Sequence, residues 1–260
     1  MRSETSNTRK TAAAVTSDDM TRSVILAKMS LMRYSVIIPA YNEARSLPVL
    51  LSKFPKGIPI TVIDDGSVDQ TSKVAKANGA RVVRNKRNMG VGLSIRAALR
   101  NAARNKDVIV IMDADGQHDP KYIPIFLKAI REGADYVIGS RYATQTPSST
   151  SWLRILGSKV ISLWLWIWFR RRICDPTSGF RVMGPRAYSV LSRRYPTFFP
   201  EPESIITILT HKLTVCEEPC IMKQRIYGKS SISLWKASVL MAYILFRIPQ
   251  RAIAEFFRSG

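Results

Sequence analysis

Cysteine is scarce in this chain: Cys174, Cys216 and Cys220 are the only three thiols in 260 residues. One C-x-x-x-C pair with no second ligand pair excludes a disulfide framework and a zinc-type spacing, and it predicts a reducing compartment. Long apolar runs are also missing. The uncharged cores at 160–169 and 237–246 reach about half of the roughly 20 residues that a spanning helix needs. Acidic residues are few, 19 against 40 Lys and Arg, leaving a net charge of +21. That imbalance points to a polyanionic surface or substrate: nucleic acid, anionic lipid or phosphorylated ligands. No groove-reading or base-stacking motif accompanies the charge, so nucleic acid is not an expected partner. Fixed-period repeats are absent, which excludes solenoids and propellers. Residues 1–33 are rich in Ser and Thr, mix charges and hold no apolar block; they fail as a secretory signal and predict a mostly disordered tail with a weakly amphipathic patch at 23–32.

What the chain does contain, from Tyr34 onward, is a regular alternation of short apolar runs and amphipathic segments. Strands are predicted at YSVIIP, PITVID, RVV, VIVIMD and DYVIGS, with helices at 46–54, from 70, at 91–104 and at 121–132. This pattern predicts an α/β fold, a Rossmann-like, mostly parallel sheet built from βαβ units and flanked by helices. One domain is expected over 34–232, followed by an amphipathic helix at 233–260.

Three of the predicted strands end in polar punctuation: PAYNE at 39–43, DDGSVDQT at 64–71 and DADGQHDP at 113–120. In a parallel sheet these carboxyl ends converge on one edge, where open α/β folds place their ligand crevice. Asp113, Asp115 and Gln117 alternate along an extended segment, so all three can offer oxygen to one hard cation, Mg²⁺ or Mn²⁺, which would clamp a diphosphate. The competing interpretation is a strand that ends in a solvated acidic turn. Asp64 and Asp65 suit the base and ribose of a nucleotide, because carboxylates accept ring N–H and hydroxyl protons. Gly66 permits a tight turn, and Asp69, Gln70 and Thr71 are candidate caps of the next helix.

PAYNE, VIDDGSVDQT, RNMGVG, MDADGQHDP and IGSR, in that order, resemble the family 2 glycosyltransferases of GT-A fold. Within that family the chain is most similar, over about 34–234, to the polyprenyl-phosphate sugar transferases typified by dolichyl-phosphate mannose synthase. The resemblance implies metal-dependent, inverting transfer of a hexose, mannose by preference, from a nucleotide diphosphate sugar to a polyprenyl (dolichyl) phosphate. GDP-mannose is the preferred donor and UDP-glucose the next. By the same resemblance Pro39, Tyr41, Glu43 and Asp64 line the nucleotide pocket, while Asp113, Asp115 and Gln117 hold the metal. Arg141, Arg154 and Ser158 match residues that hold substrate phosphates; the last two lie one helical turn apart and share a face. DPTSGFRVM at 175–183 is similar to the family's acceptor-side loop. QRIYGKSSI at 224–232 is similar to its closing loop, with Arg225 reaching the donor diphosphate and Lys229 and Ser230 closing over it. The groups expected to carry the chemistry are Asp115, Arg225, Arg141 and Asp175. A hydroxyl acceptor would instead need a general base, for which Asp175, Glu201 and Glu203 are candidates. A non-catalytic, membrane-associated scaffold is the alternative of another class.

The segment 152–172, WLRILGSKVISLWLWIWFRRR, is aromatic and ends in three arginines. Tryptophan favours the headgroup boundary and basic residues favour anionic lipid, so it is expected to lie in a membrane interface, as is the helix at 233–257. Packing against the sheet or a second subunit is the competing interpretation. The expected location is peripheral, on the cytoplasmic face of a membrane without a span, with a membrane-protein subunit as a candidate partner.

Overall fold

Alternating apolar runs and amphipathic segments form the sheet and its helical layers in a computed structural model, which describes residues 32–102, 108–142, 152–223, 242, 243, 245, 246, 249, 250 and 253. The expectations for the 1–31 tail, for Arg225, Lys229 and Ser230, and for most of the helix at 233–260 lie outside the described residues. The strands are β1 (Tyr34–Ala40), β2 (Ile60–Asp64), β3 (Arg81–Arg84), β4 (Val108–Ile111), β5 (Tyr136–Ser140), β6 (Arg181–Met183) and β7 (Val215–Pro219). The helices are α1 (Leu47–Leu51), α2 (Thr71–Ala77), α3 (Val91–Ala102), α4 (Ile123–Arg131), α5 (Trp152–Phe169), α6 (Pro185–Arg194) and α7 (Pro200–Thr210).

One seven-stranded sheet has the order β3-β2-β1-β4-β6-β5-β7. The first three strands build outward in one direction and β4 then joins the other side of β1, both in parallel. The carboxyl ends of β1 and β4 therefore flank the point where the winding reverses, the position at which open α/β sheets leave a crevice. Alternate strand residues Ile37, Ile109, Ile111, Ile138 and Met183 pack with Ile95 and Leu99 of α3, Leu191 of α6 and Ile205 of α7. The opposite face receives α4, where Phe126 lies against Gly139 and edge-on to Phe180.

Two strands were not expected from the sequence. β6 runs antiparallel between β4 and β5, and β7 pairs in parallel with β5 at the edge. The physical reason is shortness: β6 is three residues long and sits inside what reads as a loop. Its register places Arg181 opposite both Ile111 and Ile138. The connection that leads into β6 therefore crosses the carboxyl edge beside the end of β4.

The aromatic segment is one helix, α5, and part of it belongs to the core. Ser158, Ile161 and Leu165 form a buried stripe, while Leu156, Leu163, Trp166 and Ile167 are exposed. Among the described residues no helix is long and apolar enough to cross a membrane.

Candidate active site

The loops after β1 and β2 are tied to each other by hydrogen bonds. Asn42 N–H donates to Ser67 Oγ at 2.9 Å, Val68 N–H to Asn42 Oδ1 at 2.9 Å, and Glu43 N–H to Thr71 Oγ1 at 2.9 Å. Asp69 accepts from Ala44 N–H and from Thr71 N–H, so it, rather than Gln70, satisfies the start of α2. Gly66 is required twice over: its φ is +76°, and a Cβ there would lie 2.5 Å from the Arg87 backbone.

Asp64 and Asp65, expected to face the base and ribose, both point inward. Asp64 is fully buried and accepts from Ser67 N–H at 2.8 Å and from the Ser72 hydroxyl. Burial resists its ionisation, yet the bonds from Ser67 and Ser72 and the charge of Arg84 outweigh it and hold the carboxyl below its ordinary range. Asp65 accepts from Asn85 Nδ2, Met89 N–H, Gly90 N–H and Ser94 Oγ at 2.7 to 3.0 Å. It thereby fastens the RNMGVG segment and the first turn of α3 to the same edge. Pro39 is buried at the end of β1, while Tyr41 is exposed at the rim.

β4 delivers the two acidic residues of DADG to the switch point. The Asp113 side chain is 42 % exposed, whereas Asp115 is buried and accepts from Gln117 N–H at 3.0 Å. His118, a residue of the motif with no role assigned from sequence, is 3 % exposed, stacks on Phe180 and accepts the Asp113 N–H through Nδ1 at 3.1 Å. Its Nε2 lies 3.9 Å from Asp113 Oδ2, so the imidazole fixes the backbone of that residue and faces its carboxylate. Gln117 donates to Lys223 O at 3.1 Å through its amide nitrogen, which leaves the amide oxygen as the donor atom for a cation. Among the described residues no group of three His, Cys, Asp or Glu is gathered to hold a metal unaided. Two carboxylates and an amide oxygen nevertheless fit Mg²⁺ or Mn²⁺, since such ions take one or two protein carboxylates and complete their shell with water and substrate phosphates.

The loop before β6 closes the other side. Arg141 and Asp175, expected as a phosphate ligand and a catalytic carboxylate, pair with each other. Arg141 donates from Nε and Nη2 to the two Asp175 oxygens, both at 2.7 Å, and its N–H adds a third bond at 2.9 Å. Burial opposes the Arg141 charge, but the Asp175 hydrogen bonds and charge more than compensate and raise its pKa. The fully buried Asp175 carboxylate is therefore saturated by the guanidinium and fixes its plane. Ser158 is buried with its hydroxyl 3.5 Å from Cys174 O, so α5 brings it to this loop. Arg154 lies in the same helix.

Two further residues missed from sequence hold the loop. Glu217 on β7 accepts the Cys174 and Asp175 N–H groups at 2.6 and 2.7 Å. Arg181, 1 % exposed, donates to Ser178 O, Pro176 O, Tyr136 Oη and Ser204 Oγ at 2.6 to 3.0 Å, and to Glu201 O. The signal for Arg181 was a charge inside the apolar run GFRVM, which only a buried, carbonyl-rich seat could satisfy. Held this way, Gly179 sits on Asp113, and a Cβ at that glycine would lie 2.3 Å from the Asp113 carboxylate. Glu201 and Glu203, the other candidate bases, lie in the first turn of α7. Burial pushes the Glu201 carboxyl up, Arg181 opposes this, and the charge of Asp113 adds to it.

Comparison with known proteins gives three findings. Residues 35–191 match a family model described as glycosyl transferase family 2. The chain is 38% identical over 120 residues to a dolichol-phosphate mannosyltransferase of Pyrococcus furiosus, covering 43% of this chain and 34% of that one. It is 34% identical over 161 residues to a polyprenol monophosphomannose synthase of Mycolicibacterium smegmatis, covering 58% and 61%. The chain thus spans about a third and three fifths of the lengths of these relatives. Among solved structures it is similar to glucosyl-3-phosphoglycerate synthase of Mycobacterium tuberculosis in complex with Mn²⁺, UDP-glucose and phosphoglyceric acid. There the TM-score is 0.67 at 19% identity, over 88% of this chain and 82% of that one, a likeness of fold.

Proposed function

Since the chain belongs to glycosyl transferase family 2, we propose that it moves a hexose, mannose by preference, from a nucleotide diphosphate sugar to a polyprenyl phosphate, with inversion and with a divalent cation. The observation that carries this reading is the saturated Arg141–Asp175 pair beside the Asp113 carboxylate. A carboxylate bound by three N–H donors is a poor general base, and a phosphate monoester acceptor needs none: with a second pKa near 6 it is already an anionic nucleophile. Asp113, Asp115 and Gln117 would hold the cation, whose chemistry is to neutralise charge on the departing diphosphate. Arg141, held flat by Asp175, orients the acceptor phosphate with Ser158 and Arg154, so much of the rate enhancement comes from alignment. Arg225 and Lys229 are assigned to the donor diphosphate, and Pro39, Tyr41 and Glu43 to the rim of the nucleotide pocket.

The acceptor is a lipid, and the surface supports contact with one. The exposed Leu156, Leu163, Trp166 and Ile167 of α5 lead into Arg170, Arg171 and Arg172, an apolar face next to a cationic cluster, as interfacial helices require. We assign the protein to the cytoplasmic face of a membrane as a peripheral enzyme.

Glu201 favours a second reading. Its pKa, raised by burial with the charge of Asp113 adding to it, suits a general base for a hydroxyl acceptor. The deciding experiment supplies GDP-mannose and, in parallel, UDP-glucose, with a polyprenyl phosphate in detergent and Mn²⁺, with and without EDTA. Metal-dependent entry of label into the lipid, retained by Glu201→Gln, is the expected result. Failure of both donors with the lipid, together with transfer to a soluble hydroxyl acceptor abolished by Glu201→Gln, would establish the second reading.

A further inference from the structure

The mechanism above gives no role to Glu217, a partly buried carboxylate on the edge strand β7. Its place is set by the same ladder that sets Arg141. β7 runs parallel to β5 with Glu217 opposite Ile138 and Pro219 opposite Ser140, and Cys220 N–H donates to Ser140 O at 3.0 Å one step further on. Arg141 follows Ser140 directly, so the backbones of Arg141 and Glu217 stand on one rigid frame. The loop that carries Cys174 and Asp175 belongs to neither strand and is gripped from both. Glu217 accepts the Cys174 N–H at 2.6 Å through Oε2 and the Asp175 N–H at 2.7 Å through Oε1. At its other end the Asp175 carboxylate accepts the Arg141 N–H at 2.9 Å, and Nε and Nη2 at 2.7 Å each. Asp175 is thus fixed at its N–H by β7 and at its carboxylate by the residue that follows β5.

Two consecutive N–H groups aimed at one side chain need two acceptor oxygens. A carboxylate brings both, whereas an amide brings one oxygen and an NH₂ group that repels the second donor. Both bonds are short, as bonds to an ionised acceptor are. Loss of either frees the 174–175 peptides to turn, and the Asp175 side chain turns with them. The consequence falls on Arg141, whose plane Asp175 fixes through Nε and Nη2, while Nη1 takes no part in that pair. The same loop meets a second group assigned to the phosphate, since the Ser158 hydroxyl lies 3.5 Å from Cys174 O. We propose that Glu217 is a positioning residue for the acceptor phosphate: its two-oxygen grip on the Cys174 and Asp175 N–H groups sets the orientation of Arg141, and through it the alignment of the attacking phosphate. This inference rests on the polyprenyl phosphate reading and adds to it the group that keeps the acceptor site in register.

The test separates acceptor from donor. Transfer from the productive sugar nucleotide to polyprenyl phosphate, with Mn²⁺ in detergent, is measured on the wild-type chain, on Glu217→Gln and on Glu218→Gln, the last removing the neighbouring carboxylate of β7 as a control for charge. Glu217→Gln is expected to lower kcat/KM for the lipid by about tenfold, the size of one hydrogen bond to a charged group, with the Mn²⁺-dependent affinity for sugar nucleotide and the unfolding midpoint unchanged. Glu218→Gln is expected to change none of these. Should Glu217→Gln not fold, Glu217→Asp, which keeps both oxygens but draws them back by one methylene, is read in the same way. A double-variant cycle with Arg141→Lys distinguishes positioning from general support: in that background Glu217→Gln should cost little more, because the guanidinium that it orients is gone. An unchanged kcat/KM for the lipid, an equal loss for sugar nucleotide and lipid, or full additivity with Arg141→Lys would overturn the assignment. Wild-type chain that transfers from neither GDP-mannose nor UDP-glucose to polyprenyl phosphate would instead remove the acceptor reading on which it stands.

Discussion

Asp113 is constrained from three sides: β4 leads into it, His118 holds its backbone and faces its carboxylate, and Gly179 covers it. Replacing His118 by Ala should therefore act through Asp113, with a loss of about 10–100-fold in Mn²⁺ affinity or transfer rate, as seen when groups behind a metal ligand are removed. Mn²⁺ titration against nucleotide binding measures it, and an unchanged affinity would assign His118 to packing on Phe180 alone. Asp175 works in the opposite sense. Asp175→Ala strands a buried guanidinium and should cost about 3–5 kcal/mol of stability, the range for breaking a buried pair from one side, read from denaturant unfolding. Asp64 makes stability depend on pH. Its folded-state pKa is depressed, so its contribution is complete above the unfolded carboxylate value of about 3.9 and disappears as pH falls through the lower folded value. Asp64→Asn should lower stability at neutral pH and flatten the acid limb; an unaltered limb would mean that other carboxylates set it.

Short elements separate what could be read in the sequence from what could not. β1, β2, β4 and β5 announce themselves as apolar runs, and their polar ends predicted a shared edge because parallel strands all point one way. β6 did not, for three residues carry no period, and its antiparallel insertion is visible only once Ile111 and Ile138 are both found opposite Arg181. Asp113 and Arg141 were legible as reactive types, yet their partners were not: His118 turns back on Asp113 from five residues on, Asp175 reaches Arg141 from a distant segment, and Glu217 in turn holds the Asp175 N–H. The loop-anchoring hydrogen bonds of Asp64 and Asp65 were likewise invisible in the sequence, since their donors, Ser67 N–H and Gly90 N–H, are set by the fold. At the scale of the acceptor-side loop, Gly179→Ala tests whether its close approach to Asp113 matters. The added methyl must displace either the loop or the carboxylate, so activity should fall while Arg181 and Glu217 keep the fold standing. Near-normal unfolding with lost Mn²⁺-dependent transfer is the expected pair of results, and retained transfer would show that the loop moves aside freely.

Charge and apolar surface act together only when the molecule is taken whole. A net charge of +21 draws the protein to an anionic bilayer from a distance set by the Debye length, about 8 Å at physiological salt, with each Lys or Arg near the surface worth about 1 kcal/mol. Charge by itself gives attraction that salt removes. Insertion of Leu163, Trp166 and Ile167, exposed on α5, would add a component that salt does not remove, since burial of apolar area is insensitive to screening. Arg170 lies 5.6 Å over the Trp166 ring, so the cation stands where the ring would enter the headgroups. Vesicle sedimentation across a salt series divides the two contributions. Binding to vesicles rich in anionic lipid is expected to weaken with salt to a residual plateau, and a Leu163→Ser, Trp166→Ser double variant should lose the plateau while keeping the low-salt attraction. If the double variant keeps the plateau, α5 is not the inserting face, and its apolar residues serve a protein contact instead.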